Sequence, residues 1–269
     1  MFETDVLESK FARIGARIRI EDGSGRRRGS GERLRLDVRN DEDGEYFEIA
    51  ARPDTGAQVE VLDVRRDDRH LLLLVREGGE KAKFLCGHDE RHWFVAAVPE
   101  SAPVGTVPAA KEALKPPEVR DIQGRLGLDA KARGRRKNDA YWRQGEWFFI
   151  PAPRLFVRPA WVLRDEPITR GNGSKPHRLE YCYRNGGEPV HVCTLRPAGL
   201  DGAAYRQLLR DQPEAKNWGW RIMVRDADVY ARGRVRHADH RTITLHGWHR
   251  VLMNTEGQSR AMRNVAFLD

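Results

Sequence analysis

Apolar residues alternate with polar ones in short runs along most of this chain, and a polar turn separates each run from the next. That period of two limits the fold more than any other feature. Alternation sends one face of a strand to a core and the other to water. Residues 34–38 alternate, the turn-rich stretch 40–44 follows, and 46–50 resumes the pattern. Residues 59–64 and 71–75 form a second pair around 65–69, and 84–86 with 93–98 a third around 87–91. Strands at this spacing close as antiparallel hairpins. The expected class is mostly β, an α+β chain with few short helices. Its antiparallel sheets form a sandwich- or barrel-like N-terminal part and a C-terminal part rich in β-hairpins.

Helical signals are few. Residues 4–14 read as a short helix capped by Thr4, with Leu7, Phe11 and Ile14 on one face. Residues 108–114 make one or two turns behind Pro108, and 203–209 another short helix. Between 116 and 140 large apolar side chains are scarce, and the basic run 131–137 falls there. These breaks divide the chain into an antiparallel β scaffold (1–119), a basic linker or loop (120–140) and a β-rich domain with the working surface (141–269). Six of nine histidines and six of seven tryptophans lie between 142 and 249, which places the richer chemistry in the second half.

The formal net charge of +8 narrows the partners. Most of the excess falls between 115 and 160, and 39 of the 48 basic residues are arginine. Arginine makes planar, bidentate contacts with phosphate and stacks on rings, so a polyanion is the favoured partner. No apolar run reaches the roughly 18 residues of a membrane span, and the polar, acidic start does not read as a signal peptide. Three cysteines without a C-x-x-C pair suit a reducing compartment. A cytoplasmic protein that does not contact membrane is expected.

The hairpin 229–246 carries the sharpest inference. A three-residue loop of Ala238, Asp239 and His240 pairs Val235 with Ile243 and Gly233 with Leu245. One face is then apolar, and the other holds Arg232, Arg234, Arg236, Thr242, Thr244 and His246. Three arginines roughly 6.6 Å apart on one face are either a solvated surface or a phosphate-tracking one. The run containing Arg135, Arg136 and Lys137 leads into Trp142, a second place where cations adjoin a ring able to stack on a base. The alternative is a solvated loop entering a core strand.

Histidines supply the enzymatic alternative. His237 and His240 flank a tight turn with Asp239 beside them and can meet, whereas His240 and His246 are too far apart along a strand to share one metal without a bend. His177 or His191 can complete a general acid–base set. Asp67-Asp68-Arg69-His70 and Asp89-Glu90-Arg91-His92 echo each other, either as a duplicated ligand-binding turn or as two polar hairpin turns. Residues 171–175 resemble a phosphate loop but lack its spacing.

The expected function is therefore binding of RNA or single-stranded DNA through an arginine-rich sheet face and a basic loop. Arg135, Arg136, Lys137, Arg232, Arg234 and Arg236 would meet phosphates and Trp142 would stack. One alternative is a nuclease or phosphoesterase, metal-independent or metal-assisted, with His237, His240 and His246 as catalytic residues. A second is a structural subunit that binds an acidic protein. No cofactor is expected, and a divalent metal is the one alternative.

Overall fold

The computed structural model describes residues 4–22, 34–51, 56–170 and 174–258. The basic stretch 23–31, most of the glycine-rich loop 171–175 and the segment 265–268 lie outside them. The helices are α1 (Thr4–Ala12), α2 (Val107–Ala113), α3 (Pro117–Arg125), α4 (Ala130–Gly134) and α5 (Gly202–Asp211). In the first half the strands are β1 (Ile18–Asp22), β2 (Leu34–Asp41), β3 (Gly44–Ala51), β4 (Gln58–Arg65), β5 (His70–Glu77), β6 (Glu80–Asp89) and β7 (His92–Val98). In the second they are β8 (Trp142–Gln144), β9 (Trp147–Pro151), β10 (Leu163–Ile168), β11 (His177–Asn185), β12 (Glu188–Cys193), β13 (Arg196–Leu200), β14 (Arg221–Arg225), β15 (Asp228–Arg236) and β16 (Ile243–Met253). The chain is mostly strand with few short helices, and no described helix is long and apolar enough to cross a membrane.

The N-terminal strands form two sheets, ordered β1-β3-β2 and β4-β5-β6-β7. All strand pairs are antiparallel except β1 with β3, which is parallel. Phe11, Leu36, Phe47, Ile49, Leu71, Leu73 and Phe84 fill the core between these sheets. Leu72, Leu85 and Val98 point to the opposite face of the second sheet and pack on Val107, Ala110 and Ala113 of α2. Covering on both faces explains why 71–75 is an unbroken apolar run: β5 has no side left for water. Thr106 caps α2 by accepting from the Ala109 amide at 3.3 Å.

The segment expected as a linker is instead helical. Proline at the start of α3 has a fixed φ suited to a first helical turn, and Asp129 caps α4. The carbonyl of Arg133, near the end of α4, accepts from Lys115 Nζ at 2.9 Å, Tyr141 Oη at 3.0 Å and Gln123 Nε2 at 3.3 Å. Polar bonds to one carbonyl thus fix a segment that has few apolar side chains to bury. Val119 and Tyr141 pack with Phe148 and Ile150 beneath it.

The C-terminal half is built on a six-stranded antiparallel sheet, β10-β11-β15-β16-β9-β8, and a small sheet, β13-β12-β14. Trp142 and Phe149 from one end of the large sheet and Ile168 and Leu179 from the other belong to a single apolar cluster. The sheet therefore curls around its own core. Val235 pairs with Ile243 and Gly233 with Leu245, the register set by the apolar pattern. Gly233 sits at φ +80° where β11 and β15 slip register. A Cβ there would stand 2.8 Å from Glu180 Oε2, the atom that accepts the Arg234 amide at 2.8 Å. Glycine is needed for both the φ and the approach.

Gly87 faces His70 across β5 and β6, and an added Cβ would come within 2.6 Å of His70 Nε2. Gly87→Ala should cost about 2 kcal/mol by overpacking, and adding His70→Ala should recover part of that loss in urea unfolding. Burial, reinforced by Lys111, holds the His70 imidazole down at about 4, below its unfolded value of 6.5. The unfolded chain therefore binds the extra proton between pH 6.5 and 4, and stability falls as pH drops through that window. His70→Gln should remove about 2 kcal/mol of the loss between pH 7 and pH 5, read from unfolding midpoints at the two pH values.

Candidate functional site

A cleft of about 1240 Å³ lies between the two halves, with walls of mixed charge. At one end three imidazoles converge. His177 enters from the first residue of β11, and His237 and His240 come from the loop that joins β15 to β16. One donor nitrogen from each lies within 4.8 Å of the others. The rings of His177 and His237 stack with centroids 4.2 Å apart, and those of His237 and His240 stand 4.6 Å apart.

The surrounding chain fixes this loop from two sides. Gln144, buried at the end of β8, donates through Nε2 to the carbonyls of Val235 at 3.3 Å and Arg241 at 2.7 Å, one on each side of the loop. Glu90, in the turn between β6 and β7, accepts the Arg241 amide at 2.7 Å and lies 3.7 Å from His240 Nδ1. Arg136 ties the same turn to the C-terminal half through Asp89 and Glu90. Both echoed tetrapeptides are hairpin turns, with Arg69 and Glu90 at positive φ. The second of them supplies this junction.

Burial disfavours the charged form of His177 and of His240. His177 is 1% exposed, and neither of its ring nitrogens has a hydrogen-bond partner among the described residues. Burial, and then repulsion from His237 and His240, pushes it down to about 2. Burial likewise lowers His240, with His237 adding to the shift. Neutral imidazoles with free lone pairs bind metal ions or accept protons. Gly145 lets the rings approach: a Cβ there would stand 2.8 Å from His240 Nε2 and 3.3 Å from His177 Nε2. His246 does not join them; it is exposed on β16, on the face opposite buried Leu245. His191 is elsewhere, stacked on Tyr205 with centroids 3.8 Å apart.

No family model, curated protein or solved structure matches this chain.

The outer face of the large sheet forms a second constellation. Arg232, Arg234 and Arg236 are all exposed there. Arg234 pairs with Glu180 at 3.2 Å and Arg236 with Asp165 at 2.6 Å, whereas Arg232 lies over the rings of Tyr181 and Trp248 at 5.1 and 5.0 Å. Trp161, Tyr183 and Tyr230 continue the aromatic row, with successive centroids 6.3 and 6.0 Å apart. Arg158 lies over Trp161 and Arg164 over Tyr181. None of these tyrosines was singled out in the sequence. The alternation of Tyr181 and Tyr183 was the available signal, and their meeting with Tyr230 depends on a register between strands far apart in the chain. The basic run is divided: Arg136 lies in the cleft junction, Lys137 lies over the half-buried Trp142 at 3.8 Å, and Arg135 is exposed. Trp142 packs on the sheet core.

Gln144→Ala should destabilise the chain by about 2–3 kcal/mol through two lost buried hydrogen bonds and a cavity. Hydrogen exchange should accelerate more at 236–241 than along β11. Equal protection in both segments would contradict the clamp.

Proposed function

We propose that the protein binds single-stranded nucleic acid on the outer face of its six-stranded sheet. The observation that carries this reading is the row of exposed Trp161 and half-buried Tyr183 and Tyr230 on the outer face, with Arg158, Arg164 and Arg232 set against rings of the same face. Rings offer every base a stacking surface regardless of sequence, and guanidinium groups follow the phosphates. Tyr183 and Tyr230 are directly opposite on neighbouring strands, so their spacing is fixed by the sheet rather than by a loop.

The ion pairs on this face do not oppose the reading. Arg178 and Arg236 share Asp165 at exposed positions, and exposed Arg234 holds the half-buried Glu180. Exposed pairs of this kind contribute little and are screened by salt, so a phosphate can join them at small cost. Their main effect is to keep the arginines extended across the sheet. Arg158, Arg164 and Arg232 contact rings, which leaves their charge for phosphate. Relative to the sequence expectation, the binding surface moves away from Arg135, Arg136, Lys137 and Trp142 towards the tyrosines of β11 and β15.

The test is fluorescence anisotropy of labelled single-stranded RNA and DNA across a salt series, with a duplex as control. Single strands should bind more tightly than duplex. Replacing Arg158, Arg164 and Arg232 by glutamine should reduce the salt slope by about 2, at roughly 0.7 per phosphate contact. Tyr183→Ala should weaken binding by about 5- to 100-fold, the loss of one stacked base. Binding unaffected by these changes would exclude the face.

A further inference from the structure

The convergence of His177, His237 and His240 is independent of the sheet face and calls for a ligand of its own. The large majority of buried side-chain polar atoms in folded proteins are paired. Among the described residues His177 is the one side chain that leaves two buried polar atoms without a partner, and the buried Nδ1 of His240 beside it is unpaired as well. The space the rings share is shaped by Gly145, since even a methyl group there would press on the Nε2 atoms of both His177 and His240. A chain that needed only to fill this corner would do so with a side chain.

The donor set indicates the ligand class. Three imidazoles without a thiolate suit borderline divalent ions such as zinc, and offer nothing to calcium or magnesium, which require oxygen. Tetrahedral binding at about 2.0–2.1 Å brings ligand nitrogens roughly 3.3 Å apart. From separations within 4.8 Å, each ring needs to shift by only about 1 Å, within the reach of two side chains on a loop. Outer contacts of the kind that orient such ligands are also present. His237 Nε2 stands 3.3 Å from the Lys175 carbonyl, which fixes the proton there and leaves Nδ1 its lone pair. The Asp239 amide now donates to that Nδ1 at 3.1 Å, a bond the ion would replace. Glu90 and Asp239 place negative charge beside His240 and His237.

We propose that His177, His237 and His240 form a three-histidine site for a divalent transition-metal ion of the zinc class, with its remaining coordination position facing the cleft. His237, His240 and Gly145 line that cleft, so the open position is accessible to water or to an anionic oxygen. Three protein ligands with one open position is the arrangement of ions that polarise a bound water, whereas purely structural zinc is closed by four.

The experiment uses the full-length protein, stripped with a chelator and titrated with Zn²⁺ against a competing chromophoric chelator, without nucleic acid. One equivalent with sub-micromolar affinity is expected, and Co²⁺ should give the strong visible absorption of four-coordinate cobalt. Mg²⁺ and Ca²⁺ should not compete. His237→Asn and His240→Asn, at half-buried loop positions, should each weaken Zn²⁺ at least 100-fold while far-UV circular dichroism stays native. Gly145→Ala, which keeps all three histidines, should also weaken it by crowding the Nε2 atoms. His246→Asn should have no effect. Absence of stoichiometric Zn²⁺ binding in the unaltered chain, or binding that survives both histidine changes, would overturn the site. Because no nucleic acid is present, the outcome does not depend on the sheet-face reading.

Discussion

The amide of Gln144 holds the loop between β15 and β16 in place. Its two donated bonds grip the chain on either side of the loop that carries His237 and His240. Without that grip the loop would have to satisfy the carbonyls of Val235 and Arg241 in some other way, and the histidines would have no fixed position. The same residue ends β8 and precedes Gly145, whose missing side chain gives the imidazoles room. One dipeptide therefore fixes the loop and leaves room for its imidazoles. Glu90 adds the N-terminal half to this arrangement through the Arg241 amide and Arg136.

The curled sheet separates two kinds of chemistry. Its inner face buries Phe149, Leu179, Cys182, Val235 and Leu245. Its outer face holds rings and guanidinium groups that no layer of the described residues covers. The histidines lie where β11 begins and β15 ends, at the mouth of the cleft. Register slips at Gly233 and opposite Arg232 turn side chains locally without breaking the ladder. That is how Arg232 comes to lie between Tyr181 and Trp248 instead of in line with its neighbours.

Much of this architecture was legible in sequence, for physical reasons. The alternating runs specified the hairpins of the first half, because a slip by one residue would expose every core side chain. The same rule gave the β15–β16 register from Val235, Ile243 and Leu245. Helices α3 and α4 were not legible: they are held by polar bonds to the Arg133 carbonyl, and periodicity reports only apolar faces. The meeting of His237 with His240 followed from a tight turn between them. The place of His177, some sixty residues earlier, did not, because it depends on β11 pairing with β15. The grouping with His246 failed for the converse reason: neighbours in sequence on a strand project to opposite faces or lie far apart along it.

The most direct test of the three-histidine arrangement is X-ray absorption at the zinc edge of the loaded protein. A shell of three imidazole nitrogens and one further light atom at about 2.0–2.1 Å is the expected result. A shell containing sulfur, six oxygens, or a single imidazole would contradict it.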